Sequence, residues 1–285
     1  MAVTGAASAQ VTLSGGIAFG FAGDTTSAGV STRGFGTDGS SLKLAASEDL
    51  GGGLSLSASM GFENFAKGDA LAGTGSTLTL AGGFGAISMS SVESGDYLPI
   101  DGLTTNGNGT SADRVTFTAP AMSGFTLSVT HGDDNGVIDA DASSTNGKAT
   151  SASLSYAAGP FTANVTTLSI GGVGQTSTGI TGRTYYKVGY DAGVAAITYG
   201  SIKTKATTNN TQTGLTVSAP VAGFTLSAAK ATSKDVGGTK YSGTSFGASY
   251  ALSKRTSIAY YNEAYETSVT TSKVKEYSLL LKHSF

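Results

Sequence analysis

The residue types that carry most protein chemistry are scarce in this chain and do not converge. There are two histidines, His131 and His283, and no cysteine, so nucleophilic catalysis would have to be built on one of two imidazoles. His131 closes a strand-like run at Thr130-His131-Gly132, and His283 sits among apolar neighbours near the end of the chain. Neither stands where a serine and a carboxylate would be expected to meet it, and no enzyme is expected. Asp133, Asp134, Asn135, Asp139 and Asp141 crowd hard oxygen donors into one segment, which makes Ca2+ at Asp133, Asp134, Asp139 and Asp141 the one cofactor the residues suggest. Their spacing fits no EF-hand, and the alternative is a solvated acidic loop. The glycine pairs of GIAFGFAG are followed by no βαβ unit and give no nucleotide signature.

A second chemistry needs no reaction, only fixed charge held in a confined, wetted space. Lys43, Arg114, Arg183 and Lys187 each fall on the small-polar parity of an alternating run. The clearest run is Leu54, Leu56, Ala58, Met60 and Phe62 against Ser55, Ser57, Ser59, Gly61 and Glu63. The pattern recurs at Ala152, Leu154 and Tyr156, and at Phe161, Ala163 and Val165. Such alternation suits strands that meet a different solvent on each face. A soluble sheet presents Lys, Glu and Arg to bulk water. Here the polar face is Ser, Thr and Gly, as suits a water-filled lumen.

Composition agrees. Charged residues make up 13% of the chain, about half the usual soluble share, and 42 of 285 residues are glycine. With 12 Tyr and 12 Phe spread along the length the chain is not a disordered polymer, and a net charge of −2 leaves no footprint for nucleic acid. No window approaches the roughly 18 consecutive apolar residues of a membrane helix, a test that is blind to barrels, whose strands need only about ten alternating residues. Residues 1–9 read either as a signal remnant ending in Ala7-Ser8-Ala9 or as a short N-terminal extension, with a single barrel over residues 10–285.

Turn signals alternate between tight and long. Tight turns are expected at Glu48 to Gly53, Gly82 to Gly85, Pro120 to Gly124, Ala157 to Pro160, Asp191 to Gly193, Pro220 to Gly223 and Leu252 to Arg255. Long connections are expected at Gly23 to Gly39, Glu93 to Asp113, Asp133 to Gly147, Gly171 to Gly182, Lys205 to Gln212, Ser233 to Thr239 and Glu266 to Lys273. The fold class that follows is all-β, a closed antiparallel transmembrane β-barrel of about sixteen strands with short turns at one end and loops at the other. Tyr156, Tyr186, Tyr190, Tyr199, Tyr250, Tyr260 and Tyr277 are candidate members of its aromatic girdles. The competing class, a secreted structural or adhesive β-protein, has no need of the final run, in which Tyr277, Leu279, Leu281, His283 and Phe285 share one face and the last residue is aromatic. That run resembles the assembly signal of outer-membrane proteins.

With these segments in place the chain resembles the general porins of Gram-negative bacteria, especially those of β-proteobacteria. The matching stretches are QVTLSG from Gln10, SEDLGGG from Ser47, LAGGFG from Leu80, DRVTFTAP from Asp113, YALSKRT from Tyr250 and KHSF ending at Phe285. The resemblance implies a homotrimer in the outer membrane, in contact with lipid and lipopolysaccharide, whose water-filled barrels pass ions and small hydrophilic solutes by diffusion. It also implies that the third loop, Glu93 to Ala112, folds into the pore. Glu93, Asp96 and Asp101 would then form the loop side of a constriction, facing Lys43, Arg114, Arg183 and Lys187. Three positions where the family commonly has arginine correspond here to Ser41, Ser91 and Thr116, so the resemblance leads to weak charge selectivity.

Overall fold

The computed structural model describes residues 10–66, 68, 70–92, 97–100, 103, 112–134, 147–172, 180–206, 210–234, 238–267 and 273–285. Every regular element among them is a strand. In chain order these are β1 (Gln10–Thr25), β2 (Ser31–Thr37), β3 (Ser41–Gly51), β4 (Leu54–Glu63), β5 (Ala72–Gly82) and β6 (Gly85–Val92). Then come β7 (Ala112–Thr118), β8 (Phe125–Asp134), β9 (Gly147–Ala158), β10 (Phe161–Gly172), β11 (Gly182–Asp191) and β12 (Ala196–Lys205). The last five are β13 (Asn210–Val221), β14 (Phe224–Lys234), β15 (Lys240–Ala251), β16 (Thr256–Tyr265) and β17 (Val274–Ser284). Residues 1–9 lie outside the described residues.

Consecutive strands pair antiparallel, except that β2 and β3 each pair with β1 and not with one another, and β17 returns to pair with β1 from Gly16↔Ser284 to Thr25↔Lys275. Gly15 and Phe285 then exchange both backbone hydrogen bonds, at 3.1 and 3.0 Å, so the last residue sits in the seam. Closure matters because an unpaired backbone group in hydrocarbon costs several kcal/mol.

The ring has sixteen strands and one supplementary segment. The lower half of β1 pairs with β3 (Gly16↔Ser41) and its upper half with β2 (Phe19↔Thr37), so β2 and β3 together form one broken partner with residues 38–40 at the break. The sequence reading of Gly23 to Gly39 as a long connection is therefore corrected. β1 runs on to Thr25, and a turn at 26–30 leads straight back. Glycines at 29, 34, 36 and 39 read as loop residues, but four of the seven residues of β2 are Ser, Thr or Phe in extended backbone. A further long connection, 64–71, separates β4 from β5.

The seven tight turns fall where the sequence places them. Two have a common cause. Ser123 and Gly124 (φ 49° and 85°) and Ala222 and Gly223 (φ 50° and 83°) each put two successive residues in the left-handed region, as tight hairpin turns demand. This accounts for the echo of APAMSGFTLS in APVAGFTLS.

Pairing also fixes which residues face out. All seven candidate girdle tyrosines do, and at the tight-turn end they meet phenylalanines across the strands. Phe125–Tyr156, Phe161–Tyr190 and Phe224–Tyr250 have ring centroids 4.7, 4.8 and 5.0 Å apart. Tyr277, Leu279, Leu281 and Phe285 of the terminal run face out as well.

One long connection is tied down by charge. Just beyond β16, Glu266 accepts from the Ser242 N–H at 3.2 Å and pairs with Lys273 at 3.3 Å. The Ser242 amide first, and Lys273 second, hold its carboxyl below the usual carboxylate range. A carboxyl with a depressed folded value adds stability above its unfolded value, and that contribution is lost as pH falls through the folded one. Hydrogen exchange at the Ser242 amide is therefore expected to be slow near neutrality and to lose protection on acidification below about pH 4 once intrinsic exchange is corrected for. In a Glu266→Gln variant that pH dependence should disappear.

Candidate functional site: the lumen and its inner loop

The few deeply buried apolar side chains of this barrel lie inside it. Leu98, Ile100 and Leu103, from the connection between β6 and β7, are buried against the inner wall. Leu98 packs with Tyr185 and Ile202, with Tyr97 and Leu168 at the margin, while Ile100 and Leu103 pack with Ala231 and Tyr265. These described residues of the connection therefore lie inside the lumen, against the wall made by β10 to β16.

What lets it approach is a row of missing side chains. Gly200, Gly214, Ala231 and Gly243 are directly opposed on β12, β13, β14 and β15, forming a shallow track across the strands. Residues 98–100 follow it. A Cβ on Gly200 would stand 2.6 Å from Leu98 Cδ2, one on Gly214 would overlap the Pro99 ring, and one on Gly243 would stand 3.2 Å from Ile100 Cδ1. Ile100 is held at φ 67°, a conformation costly for a β-branched residue, which its burial in this track offsets.

Tyr97 anchors the near end. Its ring meets Tyr185 edge-on at 5.0 Å, its hydroxyl donates to Asn164 Oδ1 at 3.3 Å, and Lys187 Nζ lies 4.1 Å from its ring centroid. Burial first, then the neighbouring Tyr185, push the Tyr97 hydroxyl up to about 12, so it remains a neutral donor at physiological pH.

The four basic residues named from sequence all have inward parity, but they do not stand together. Arg183 and Lys187 lie on β11, the wall that carries the loop, where Lys187 is stacked under Tyr97. Lys43 on β3 and Arg114 on β7 lie on the wall the loop leaves open. That open wall is lined by hydroxyls that satisfy one another, at Thr79–Ser88 (2.8 Å), Thr116–Thr130 (2.9 Å) and Thr118–Ser128 (3.2 Å). It is wettable, with Lys43, Arg114 and Glu63 as its charges. A hollow of 390 Å³ beside Lys43, lined by Thr12, Ser57, Ser59, Thr77 and Thr79, marks the free lumen.

Of the positions matched to family arginines, Ser41 and Thr116 face the lumen and Ser91 does not. Ser91 is opposed to Ser76 and Asp113 on the outer face, and Ser90 is the inward residue. Glu93, Asp96 and Asp101 lie outside the described residues, as do Asp139 and Asp141, and the side chains of Asp133 and Asp134 are not described either. His131 faces outward and bonds Thr150 at 2.8 Å, and His283 likewise faces out and bonds Thr256 at 2.9 Å.

Sequence reasoning missed one charged cluster. Asp24, Glu276 and Glu263 are directly opposed on β1, β17 and β16, all facing in near the long-connection end. Glu263 is buried and accepts from Tyr261 at 2.5 Å, and Asp24 bonds Thr32. The available signal was the inward parity of Glu263 and Glu276 in their runs. Asp24 was hidden because β1 was expected to end at Gly23.

A closed sixteen-strand ring, a loop folded into its lumen and an apolar outer surface with aromatic pairs together describe a channel. The sequence profile described as Gram-negative porin matches residues 1–271. The chain belongs to the Gram-negative porin family. Among solved structures, this porin is similar to an anion-selective porin from Comamonas acidovorans, with TM-score 0.80 and 21% identity over 98% of this chain and 100% of that one. It is also similar to variants of the Rhodopseudomonas blastica porin, one of which has TM-score 0.72 and 11% identity over 97% and 100%. No curated protein matches the sequence. Both likenesses concern the fold. Channel function rests on the family and on the lumen itself.

Proposed function

We propose that this porin is a trimeric outer-membrane pore for ions and small hydrophilic solutes, with weak charge selectivity set at the height of the inner loop. The observation that carries this reading is the seating of residues 97–100 on the β10 to β16 wall, which leaves the solute path between the loop and the wall bearing Lys43 and Arg114.

Weak selectivity follows from the sign balance. Described cations of inward parity are Lys43, Arg114, Arg183, Lys187 and Lys282; described carboxylates of inward parity are Asp24, Glu63, Glu263 and Glu276, with Asp49 and Asp191 at the tight-turn rim. Glu93, Asp96 and Asp101, if they face the path, offset Lys43, Arg114, Arg183 and Lys187 at the height of the loop. The Comamonas relative is called anion-selective. With serine and threonine at Ser41 and Thr116, this porin is read as less so.

For self-association, the outer face of β3 to β7 offers a groove of 720 Å³ with Ala46, Ala58, Ser76 and Ser91 on its floor and Asp113 and His131 at its edge. Small side chains allow close approach, and an acidic side chain facing hydrocarbon is costly unless protein covers it. The Phe–Tyr pairs at the tight-turn end lie on β8 to β15, on the other side of the barrel. Planar-bilayer recording tests the reading in one experiment. Insertion should give an open ohmic pore that closes at high voltage in three equal steps. A folded, inserted protein without current would overturn the pore assignment, and single-step closure would overturn the trimer.

A further inference from the structure

Parity places Lys187 among the wall charges, but its surroundings give that charge another task. On β11 it is directly opposed by Asn164 of β10 on one side and by Gly200 of β12 on the other. The glycine leaves a gap along which the lysine stem runs, since a Cβ on Gly200 would stand 3.8 Å from Lys187 Cε. The Tyr97 ring closes the third side, 4.1 Å from Nζ and well inside the reach of about 6 Å over which a cation is attracted to a ring face. Lys187 is half-buried as a result, and it makes no ion pair with a described carboxylate.

Asn164 completes the grip. Its amide nitrogen donates to Ser153 at 2.8 Å and to Ser155 at 3.0 Å, both on β9. A primary amide has two donor hydrogens and one acceptor oxygen, so spending both hydrogens on the wall turns the oxygen towards the lumen. There it accepts from the Tyr97 hydroxyl at 3.3 Å, with the Thr166 hydroxyl 3.1 Å away. Tyr97 is thus held from three directions, by Lys187 at its ring face, by Tyr185 edge-on and by Asn164 at its hydroxyl. Contacts in three directions fix both the place and the tilt of a ring, where any one alone would let it pivot.

A charge so placed differs from one on the open wall. The ring covers the ammonium on its lumen side, and the attraction between them is spent on holding Tyr97 rather than on a passing ion. Residues 98–100 follow Tyr97 directly along the glycine track, so the place of its ring sets where the track begins to be filled. We infer that Lys187 and Asn164 are positioning residues. They hold Tyr97, and through it residues 98–100, at the distance from the open wall that sets the largest solute the pore admits, while Lys187 contributes less to ion selectivity than Lys43 does. This rests on the pore reading above and takes Lys187 out of the cations that act on the path.

The test uses the full chain in planar bilayers and reads two quantities on the same channels. One is the largest polyethylene glycol that enters the pore, judged by its effect on conductance; the other is the reversal potential across a salt gradient at low ionic strength. Lys187→Met keeps the stem and removes the cation. It should admit a larger polymer than the wild type and move the potential less than Lys43→Met, which should shift the potential towards cations at an unchanged size limit. Lys187→Arg should restore the wild-type limit, because a guanidinium also stacks on a ring. Asn164→Leu, which alters no charge, should raise the limit as well. In a Tyr97→Leu background the limit should already be raised; there Lys187→Met should raise it no further and should shift the potential more than in the otherwise wild-type channel, because the ammonium is uncovered. An unchanged limit in Lys187→Met, or a potential shift equal to or larger than that of Lys43→Met, would overturn the proposal. So would a limit raised by Asp96→Asn and untouched by Tyr97→Leu, since the lysine would then hold the loop through a carboxylate. Should Lys187→Met fail to insert, Lys187→Gln takes its place with the same expectations. Absence of current in the wild type would defeat the pore reading itself, whereas these comparisons among open channels defeat only the positioning role.

Discussion

Replacing Gly200 and Gly214 together by valine is expected to raise single-channel conductance and make the open channel noisy. The two glycines lie beneath Leu98 and Pro99. Leu98 ends in a rotatable methyl and can yield, but the Pro99 ring cannot, so Gly214→Val should be the stronger single change. Overpacking costs about 1–3 kcal/mol per site. Burial of Leu98, Ile100 and Leu103 holds the loop with about 1.5–3 kcal/mol each, less the entropy of ordering the segment. Two such costs bring seated and lifted loops near balance. The barrel itself should be untouched, because valine is a good strand former and both sites face in. Unchanged conductance with unchanged heat-modifiable migration would show that the loop does not limit the pore.

The second large effect concerns charge. Lys43→Glu with Arg114→Glu should convert a weakly selective pore into a cation-preferring one, read as the reversal potential across a salt gradient. A unit charge about 7 Å from the ion path acts in water with about 0.6 kcal/mol, and at 0.15 M salt a Debye length of about 8 Å reduces this to about 0.25 kcal/mol. Reversing two charges changes each ion's energy by about 1 kcal/mol, with opposite signs for cation and anion. That sets an upper limit of about thirtyfold on the change in permeability ratio. At 1 M salt, where the Debye length is about 3 Å, most of the shift should vanish. Asp96→Asn with Asp101→Asn should move the potential the other way. If neither pair moves it at low salt, the constriction lies elsewhere in the lumen.

Much of this fold was legible because a barrel writes itself locally. Side-chain parity and turn chemistry are decided within a few residues, so Leu54 to Glu63 could be assigned a lipid face and a water face without knowing their neighbours. The tight turns were equally readable, since Ser123-Gly124 and Ala222-Gly223 need left-handed backbone. Failures came where the local signal was absent. Ile87 and Met89 against Ser88 and Ser90 set the phase of β6, but the run ends in Ser90-Ser91, two like side chains with no contrast of their own, and alignment to a family pattern placed Ser91 one residue out of step. The site was harder still. That Arg183 and Lys187 share a wall with the loop, while Lys43 and Arg114 face it, depends on where a distant segment settles. The glycine track is invisible until four strands are brought into register, because each glycine alone reads only as a weak spot in a strand.

The exchange of backbone hydrogen bonds between Gly15 and Phe285 also determines when the molecule can become stable during its biogenesis. Every other pairing in the ring joins segments close in sequence, so hairpins can form early and grow by addition. The seam joins residues roughly 270 apart, and loop closure over that span is slow. Until it forms, both β1 and β17 present unpaired edges to their surroundings, and such edges invite pairing with other chains. A nascent copy is therefore most vulnerable when it is nearly complete, and a truncation within β17 should send this porin to aggregation or proteolysis rather than produce a smaller pore.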